Sequence, residues 1–330
     1  MGGQLGFMYR QLTFKPKPIP SSTRLDNKVA IITGANAGLG LETSREFISH
    51  GLAHLIIAVR DESKGEAARA ELLRNVSNDS CRIEVWKVDQ ADLNGIVAFS
   101  ERVETLPRLD IVILNAGVKY LNYEKSPSNH EMNVQVNHIG TSLVSLLLIP
   151  KLQASARKIN APARLTLVGS EGQFWCSFKE HSAPNVIERL DEQAAFPPAM
   201  ERYYTTKLMT QLWTAELASR VTSDEVVITT VNPGLCASSL HRHDSSGALN
   251  FFLKIFAWTS EQGGHCLAHA ATHGTSYVHG AYFSEQKKTE PCSFSTSSQG
   301  IKAQKKLWNE TIDLLKKECP RASLTQFDKP

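Results

Sequence analysis

The sequence predicts an α/β fold: one doubly wound, seven-stranded parallel sheet flanked by helices, in a single domain. Three observations carry that expectation. Short β-branched apolar runs alternate with longer segments of helical period, as repeated βαβ units do. Most of the runs are apolar at every position, as strands buried on both faces are. A glycine-rich turn follows the first run directly and opens a helical pattern.

The chain begins with an arm, residues 1–27. Met1 to Pro20 holds charged residues and prolines where a signal peptide needs an apolar core. Gly6 stands where a myristoylation signal wants Ser or Thr. The arm is expected to be disordered, as termini often are, or to touch a membrane peripherally. Strands are expected over Val29 to Thr33, His54 to Val59, Ile83 to Val88, Leu109 to Leu114, Arg164 to Val168, Val226 to Val231 and Ala281 to Phe283. Helices are expected over Leu41 to His50, Ser63 to Asn75, Leu93 to Thr105, Glu131 to Lys158, Glu201 to Arg220 and Glu261 to Thr272. Pro150 is expected to kink or interrupt the fourth of these. No internal repeat or proline-rich hinge separates two cores, so residues 28–330 form one domain. The extra length lies in insertions at 171–200 and 235–260 and in a tail whose amphipathic stretch, Ile301 to Lys317, predicts a last helix.

Composition excludes several function classes. Of 330 residues, 42% are hydrophobic and 21% charged, enough apolar material for a substantial core. The net charge is only +3 and the basic residues are scattered, so no footprint for nucleic acid is present. Six cysteines lie far apart with no C-x-x-C pair, which suits reduced thiols in a cytoplasmic protein. The most apolar run, Leu143 to Ile149, falls short of the roughly 18 to 20 residues that span a bilayer, so no transmembrane helix is expected.

The turn after the first strand reads Thr33-Gly34-Ala35-Asn36-Ala37-Gly38-Leu39-Gly40. Glycines there let the backbone approach a pyrophosphate, whose charge the free amides of a helix N-terminus favour. The second strand ends in Arg60-Asp61, where an acidic group would accept from a ribose 2'-hydroxyl and an arginine would pair with a 2'-phosphate. Arg60, with Lys64 one turn on, argues for NADP(H); Asp61 keeps NAD(H) as the lesser option. Further along, Tyr203 and Lys207 stand four apart in a helical segment, so both project from one face. A neighbouring ammonium favours the phenolate and is expected to lower the tyrosine from its usual value of about 10.

In chain order, these residues with Asn115-Ala116-Gly117, Asn137, Ser170 and Pro233-Gly234 resemble the short-chain dehydrogenase/reductase superfamily, over roughly Lys28 to Phe283. Arg60-Asp61-x-x-Lys64-Gly65, Val136-Asn137-His138-Ile139-Gly140 and Asn232-Pro233-Gly234-Leu235-Cys236 are similar to its retinol-dehydrogenase-like branch, which includes many fungal members. The resemblance implies a Rossmann fold and a carbonyl–alcohol interconversion, with a place in secondary metabolism. It implies a cofactor site of Gly34, Asn36, Gly38, Leu39, Gly40, Arg60, Lys64, Asn115, Ala116, Gly117, Pro233 and Gly234, with Asp89 on the adenine amino group. It also implies that Ser170 hydrogen-bonds the substrate oxygen, Tyr203 gives or takes its proton, Lys207 binds the nicotinamide ribose and tunes the tyrosine, and Asn137 helps hold a proton-relay water. Tyr204, lacking the offset from Lys207, is expected to stand behind the site.

The loops beyond the strand ends are aromatic. Tyr120, Tyr123, Phe174, Trp175, Phe196, Phe251, Phe252, Phe256 and Trp258 suggest an apolar pocket for a bulky hydrophobic carbonyl compound or alcohol, or else an oligomer interface. His265, His269 and His273 recur every four residues, and His241 and His243 flank Arg242; a polar helix face is the preferred reading and no metal site is assigned. Two other classes stay open: an NADP(H)-binding protein with a regulatory or rearrangement-guiding role, and a membrane-interaction role for the arm. The oligomeric state is left open too.

Overall fold

A computed structural model describes residues 3–74, 81–237, 240 and 256–327. The chain enters its sheet in the middle. Strand β1 (Val29–Thr33) is flanked by β2 (His54–Val59) on one side and β4 (Ile111–Leu114) on the other, with Ala30 level with both Leu55 and Ile111. Strand β3 (Arg82–Lys87) completes one edge, and β5 (Ala163–Val168), β6 (Val226–Val231) and β7 (Tyr282–Ser284) extend the other. All these pairings are parallel. Because the winding reverses between β1 and β4, a crevice opens beyond their carboxyl ends, where ligands of such sheets sit.

The sheet has an eighth strand that the sequence did not announce. Strand β8 (Lys287–Thr289) pairs antiparallel with β7 across a turn in which Glu285 and Gln286 both take positive φ, 46° and 54°. All of its residues are exposed, so it carries no apolar signal, and its lysines suit a protected sheet edge.

Helices α1 (Gln4–Thr13), α2 (Gly38–Ser49), α3 (Glu62–Arg74) and α4 (Leu93–Glu104) precede a long segment that begins as α-helix at Met132–Val134. A π-helical stretch, Gln135–Gly140, follows, and then α5 (Thr141–Ile159). Pro150 neither ends nor interrupts α5; the departure from α geometry lies upstream of it. Pro150 is exposed, and the one backbone hydrogen bond it removes is offset by the packing of a helix whose Leu143, Leu146, Leu148 and Ile149 are buried. This segment is long and apolar enough to cross a membrane, but most of it is buried within the protein as a core helix. Helices α6 (Glu201–Arg220), α7 (Ser260–Thr272) and α8 (Ser298–Glu318) complete the flanks.

Apolar layers cover both faces of the sheet. One joins α4, α5, α6 and α8, with Trp213 and Trp308 stacked at 4.5 Å; the other joins α2, α3 and α7. The arm is a docked element. In α1, Phe7 and Gln11 are buried against the carboxyl-end loops while Leu5, Tyr9 and Leu12 stay exposed. This replaces the expected disorder: ten residues make a marginal helix alone, and tertiary packing holds this one.

Candidate active site

The turn after β1 is held open from beneath. Gly34 and Gly38 take φ of 66° and 58°, conformations that side chains rarely adopt. The Thr33 hydroxyl accepts from the amides of Asn115 and Ala116 at 2.9 Å each, and Asn115 Nδ2 donates to the Thr33 carbonyl at 2.8 Å. A Cβ on Gly40 would lie 2.7 Å from that Nδ2, so the third glycine lets α2 close on the end of β4. The free amides at the N-terminus of α2 then face the crevice.

The crevice is a cavity of about 870 Å³. Gly34, Asn36, Gly38, Leu39, Asn115, Ala116 and Gly117 line its middle; Arg60, Lys64 and Asp89 line it near the ends of β2 and β3; and Ser170, Tyr203, Lys207, Pro233 and Gly234 line it near β5 and β6. Of the catalytic and cofactor-binding residues nominated from the sequence, only Gly40 and Asn137 stand behind the wall. The glycine cradle and the helix N-terminus fit a dinucleotide, and the rim beside them carries Arg60 together with Lys64, which pairs with Asp61 at 3.6 Å.

Residues Tyr203 and Lys207 project from α6 as their spacing predicts, and both are buried. The Ser170 side chain lies near enough to the Tyr203 phenol to favour its ionised form, and its hydroxyl accepts from the Gly172 amide at 3.0 Å. Lys207 Nζ lies 5.7 Å from the centre of the Tyr203 ring and donates to the Val168 carbonyl at 2.8 Å. The expected direction of the tyrosine shift is reversed. Burial pushes Tyr203 up to about 12 and Lys207 down to about 8, because removing water penalises the charged form of each. Ser170 pulls the phenol down by less than burial raises it.

Asn137 lies within the π-helical stretch and ties the site together from behind. Its Oδ1 accepts from the Val118 amide at 2.8 Å, while its Nδ2 donates to the Val118 carbonyl at 2.8 Å and to Thr206 Oγ1 at 3.1 Å. The loop after β4 is thereby joined to α6 between Tyr203 and Lys207. Gly117 suits this packing, since a Cβ there would lie 3.1 Å from Asn137 Oδ1.

Residues 28–169 match the family model for short chain dehydrogenase. Short chain dehydrogenase sol3 of Alternaria solani is 56% identical over 87% of this chain and 99% of its own length. The chain belongs to the short-chain dehydrogenase family. A further fungal relative, short-chain dehydrogenase fogG of Aspergillus ruber, is 36% identical over 95% of this chain and 92% of its own. Among solved structures, a 3-ketoacyl-(acyl-carrier-protein) reductase from Brucella melitensis complexed with NADH covers 78% of this chain and 96% of its own, with 20% identity and a TM-score of 0.60. The Pseudomonas aeruginosa RhlG/NADP active-site complex covers 80% and 97%, with 20% identity and a TM-score of 0.61. At that identity these structures support the fold.

Within this family member the aromatic lining differs from the expectation. Of the described aromatics nominated for the pocket, Trp175 alone lines the cavity. Tyr123 and Phe196 pack on each other, Phe174 packs on Tyr282, and Trp258 is buried against Phe14, while Phe251, Phe252, His241 and His243 lie outside the described residues. Phe7 and Met8 of α1, Met200, Tyr204, Glu171 and the buried Lys119 line the cavity without having been nominated. Tyr204 does not stand behind the site: it faces the cavity and touches Trp175. Lys119 and Glu171 each adjoin a nominated residue or loop, the one signal that marked them. Elsewhere, His265 pairs with Glu46 at 2.8 Å, and the His269 and His273 rings stack.

Proposed function

We propose that this protein is an NADP(H)-dependent reductase of ketones or aldehydes, or the reverse dehydrogenase, acting on a bulky hydrophobic small molecule. The observation that carries the reading is the group of half-buried Ser170 with buried Tyr203 and Lys207 at one end of a dinucleotide-sized cavity. A nicotinamide dinucleotide bound in the cavity supplies or accepts the hydride. The chain's residues handle the oxygen and its proton. Ser170 and Tyr203 hold a substrate oxygen between two hydroxyls, and Tyr203, a protonated phenol at neutral pH, releases its proton to that oxygen as it gains charge. Lys207, charged below about pH 8, orients the nucleotide's ribose and favours the phenolate left behind. Asn137 keeps the loop after β4 and α6 in register around them.

Two observations support NADP(H) over NAD(H). Arg60 and Lys64 stand on the rim near the ends of β2 and β3. The Asp61 carboxylate, which would otherwise accept from a ribose 2'-hydroxyl, instead accepts from Ser63 Oγ at 2.7 Å and the Lys64 amide at 3.3 Å, capping α3. The test is a screen of hydrophobic ketones and aldehydes with NADPH and NADH in parallel, reading absorbance loss and product mass. Turnover with NADPH is expected, and Tyr203→Phe should lower it by about 10²- to 10⁴-fold with NADPH affinity retained. Full turnover by Tyr203→Phe overturns the mechanism, and tight NADPH binding with no oxidation or reduction points to a non-redox role.

A further inference from the structure

Helix α1 is not part of the sheet or of its covering layers, yet its buried face is turned to the reaction end of the cavity. Phe7 and Met8 line that end. The Phe7 ring meets Trp175 edge-on at a centroid distance of 5.2 Å, Trp175 meets Tyr204 at 5.5 Å, and Tyr204 lies 6.1 Å from Tyr203. The helix is fastened to the two loops that carry the site. Gln11, 4% exposed, donates from Nε2 to the Leu235 carbonyl at 2.8 Å and accepts at Oε1 from the Leu235 amide at 3.1 Å. The Trp258 indole donates to the Gln11 carbonyl at 2.8 Å. Arg10 reaches Glu171, the residue after Ser170, at 2.5 Å, and Glu285 at 3.2 Å. A buried glutamine with both ends of its amide in use fixes one placement of the helix, because any other leaves those groups unsatisfied.

We propose that α1 is the outer wall of the substrate site: Phe7 and Met8, with Trp175 and Tyr204, hold the apolar, ring-bearing part of the substrate away from the reacting carbon. The wall makes the protein selective for ring-bearing carbonyl compounds over short aliphatic ones. The inference rests on the reductase reading and names the substrate class of that site. Its chemistry follows from the lining. None of the four side chains carries a charge, and the rings of Phe7, Trp175 and Tyr204 offer edges and faces to an aromatic partner.

The test uses the full-length protein loaded with NADP⁺, as wild type, Phe7→Ala and Phe7→Leu. Each is titrated calorimetrically with 2-acetonaphthone and with butanone, and both ketones are then assayed with NADPH. Wild type should bind the naphthyl ketone at least about tenfold more tightly than butanone, Phe7→Ala should lose about tenfold of that ratio, and Phe7→Leu should keep most of it. An unchanged NADPH affinity reports an intact fold, and if Phe7→Ala loses it, Met8→Ala carries the same comparison. Equal binding of the two ketones by wild type, or an unchanged ratio in Phe7→Ala, overturns the wall. Discriminating binding without turnover counts against the reductase reading and leaves the wall standing.

Discussion

Burial acts in opposite senses on Tyr203 and Lys207, which both project from α6 into the cavity. It keeps Tyr203 neutral up to about pH 12 and makes the Lys207 ammonium costly to hold below about pH 8. The linkage follows from that difference. Lys207 has a folded value below its ordinary 10.5, so between about pH 8 and 10 the unfolded chain binds more protons and folding stability rises with pH. Tyr203 works the other way, with a contribution present below about pH 10 and lost between about 10 and 12. From pH 8 to 10 the wild type should therefore gain on the order of 2 kcal/mol from Lys207, and Lys207→Met should lack that rise. Denaturant midpoints of both proteins across this range check it; parallel curves would show that Lys207 is not a buried cation. The spacing of Tyr203 and Lys207 revealed their shared face. The sign of the tyrosine shift was not legible, because it depends on how much water the folded site excludes, and spacing carries no information about that.

At the scale of elements, the π-helical stretch shows how a local irregularity serves the site. An extra residue per turn sets Asn137 toward Val118 and α6, and such stretches recur at functional sites. Gly140 ends the stretch where the backbone of Gln90 passes close: a Cβ there would lie 2.2 Å from the Gln90 carbonyl oxygen. Gly140→Ala must push the two backbones apart, so a loss of about 1 to 3 kcal/mol is expected together with reduced turnover as Asn137 shifts. Chemical denaturation and steady-state rates check it, and unchanged values in both would show that the crowding relaxes without consequence. The sequence marked Asn137 and Gly140 through a motif. The π geometry itself has no periodic signature, and Pro150 drew attention to the wrong turn of the segment. Helix α1 was hidden for a related reason. Its apolar residues Leu5, Tyr9 and Leu12 fall on the exposed side, so periodicity does not mark the docked face, and the partners that fix it, Leu235, Trp258 and Glu285, lie more than two hundred positions away.

Across the whole molecule, one apolar layer depends on the last helix. Trp308 of α8 is 2% exposed, stacks on Trp213 of α6 at 4.5 Å with an interplanar angle of 20°, and lies under the Arg220 guanidinium. The same helix reaches the insertion after β5, where Glu310 accepts from the Val186 amide at 2.8 Å, and the core, where Thr311 bonds His138 at 2.8 Å. Helix α8 thus braces α6 from the face opposite the cavity, and α6 holds Tyr203 and Lys207 in place. Trp308→Ala should cost about 3 to 5 kcal/mol through the cavity it leaves. The expected readout is a lower urea midpoint with an unchanged slope; a shift below about 1 kcal/mol would show that the tail is not part of the cooperative core.

The sequence by itself determined the winding of the parallel sheet, the phosphate turn and the shared face of Tyr203 and Lys207, because each is written in short-range spacing: continuous apolar runs, glycines between strand and helix, a four-residue offset; Ser170 came only through the family resemblance. Only the tertiary structure decided what closes the cavity and what charge its groups prefer. Helix α1, β8 and the Trp175–Tyr204 wall join residues far apart in the chain, and the titration of Tyr203 and Lys207 depends on water excluded by the whole fold. Spacing along a chain determines which side chains share a face, but contact and burial are properties of the folded volume.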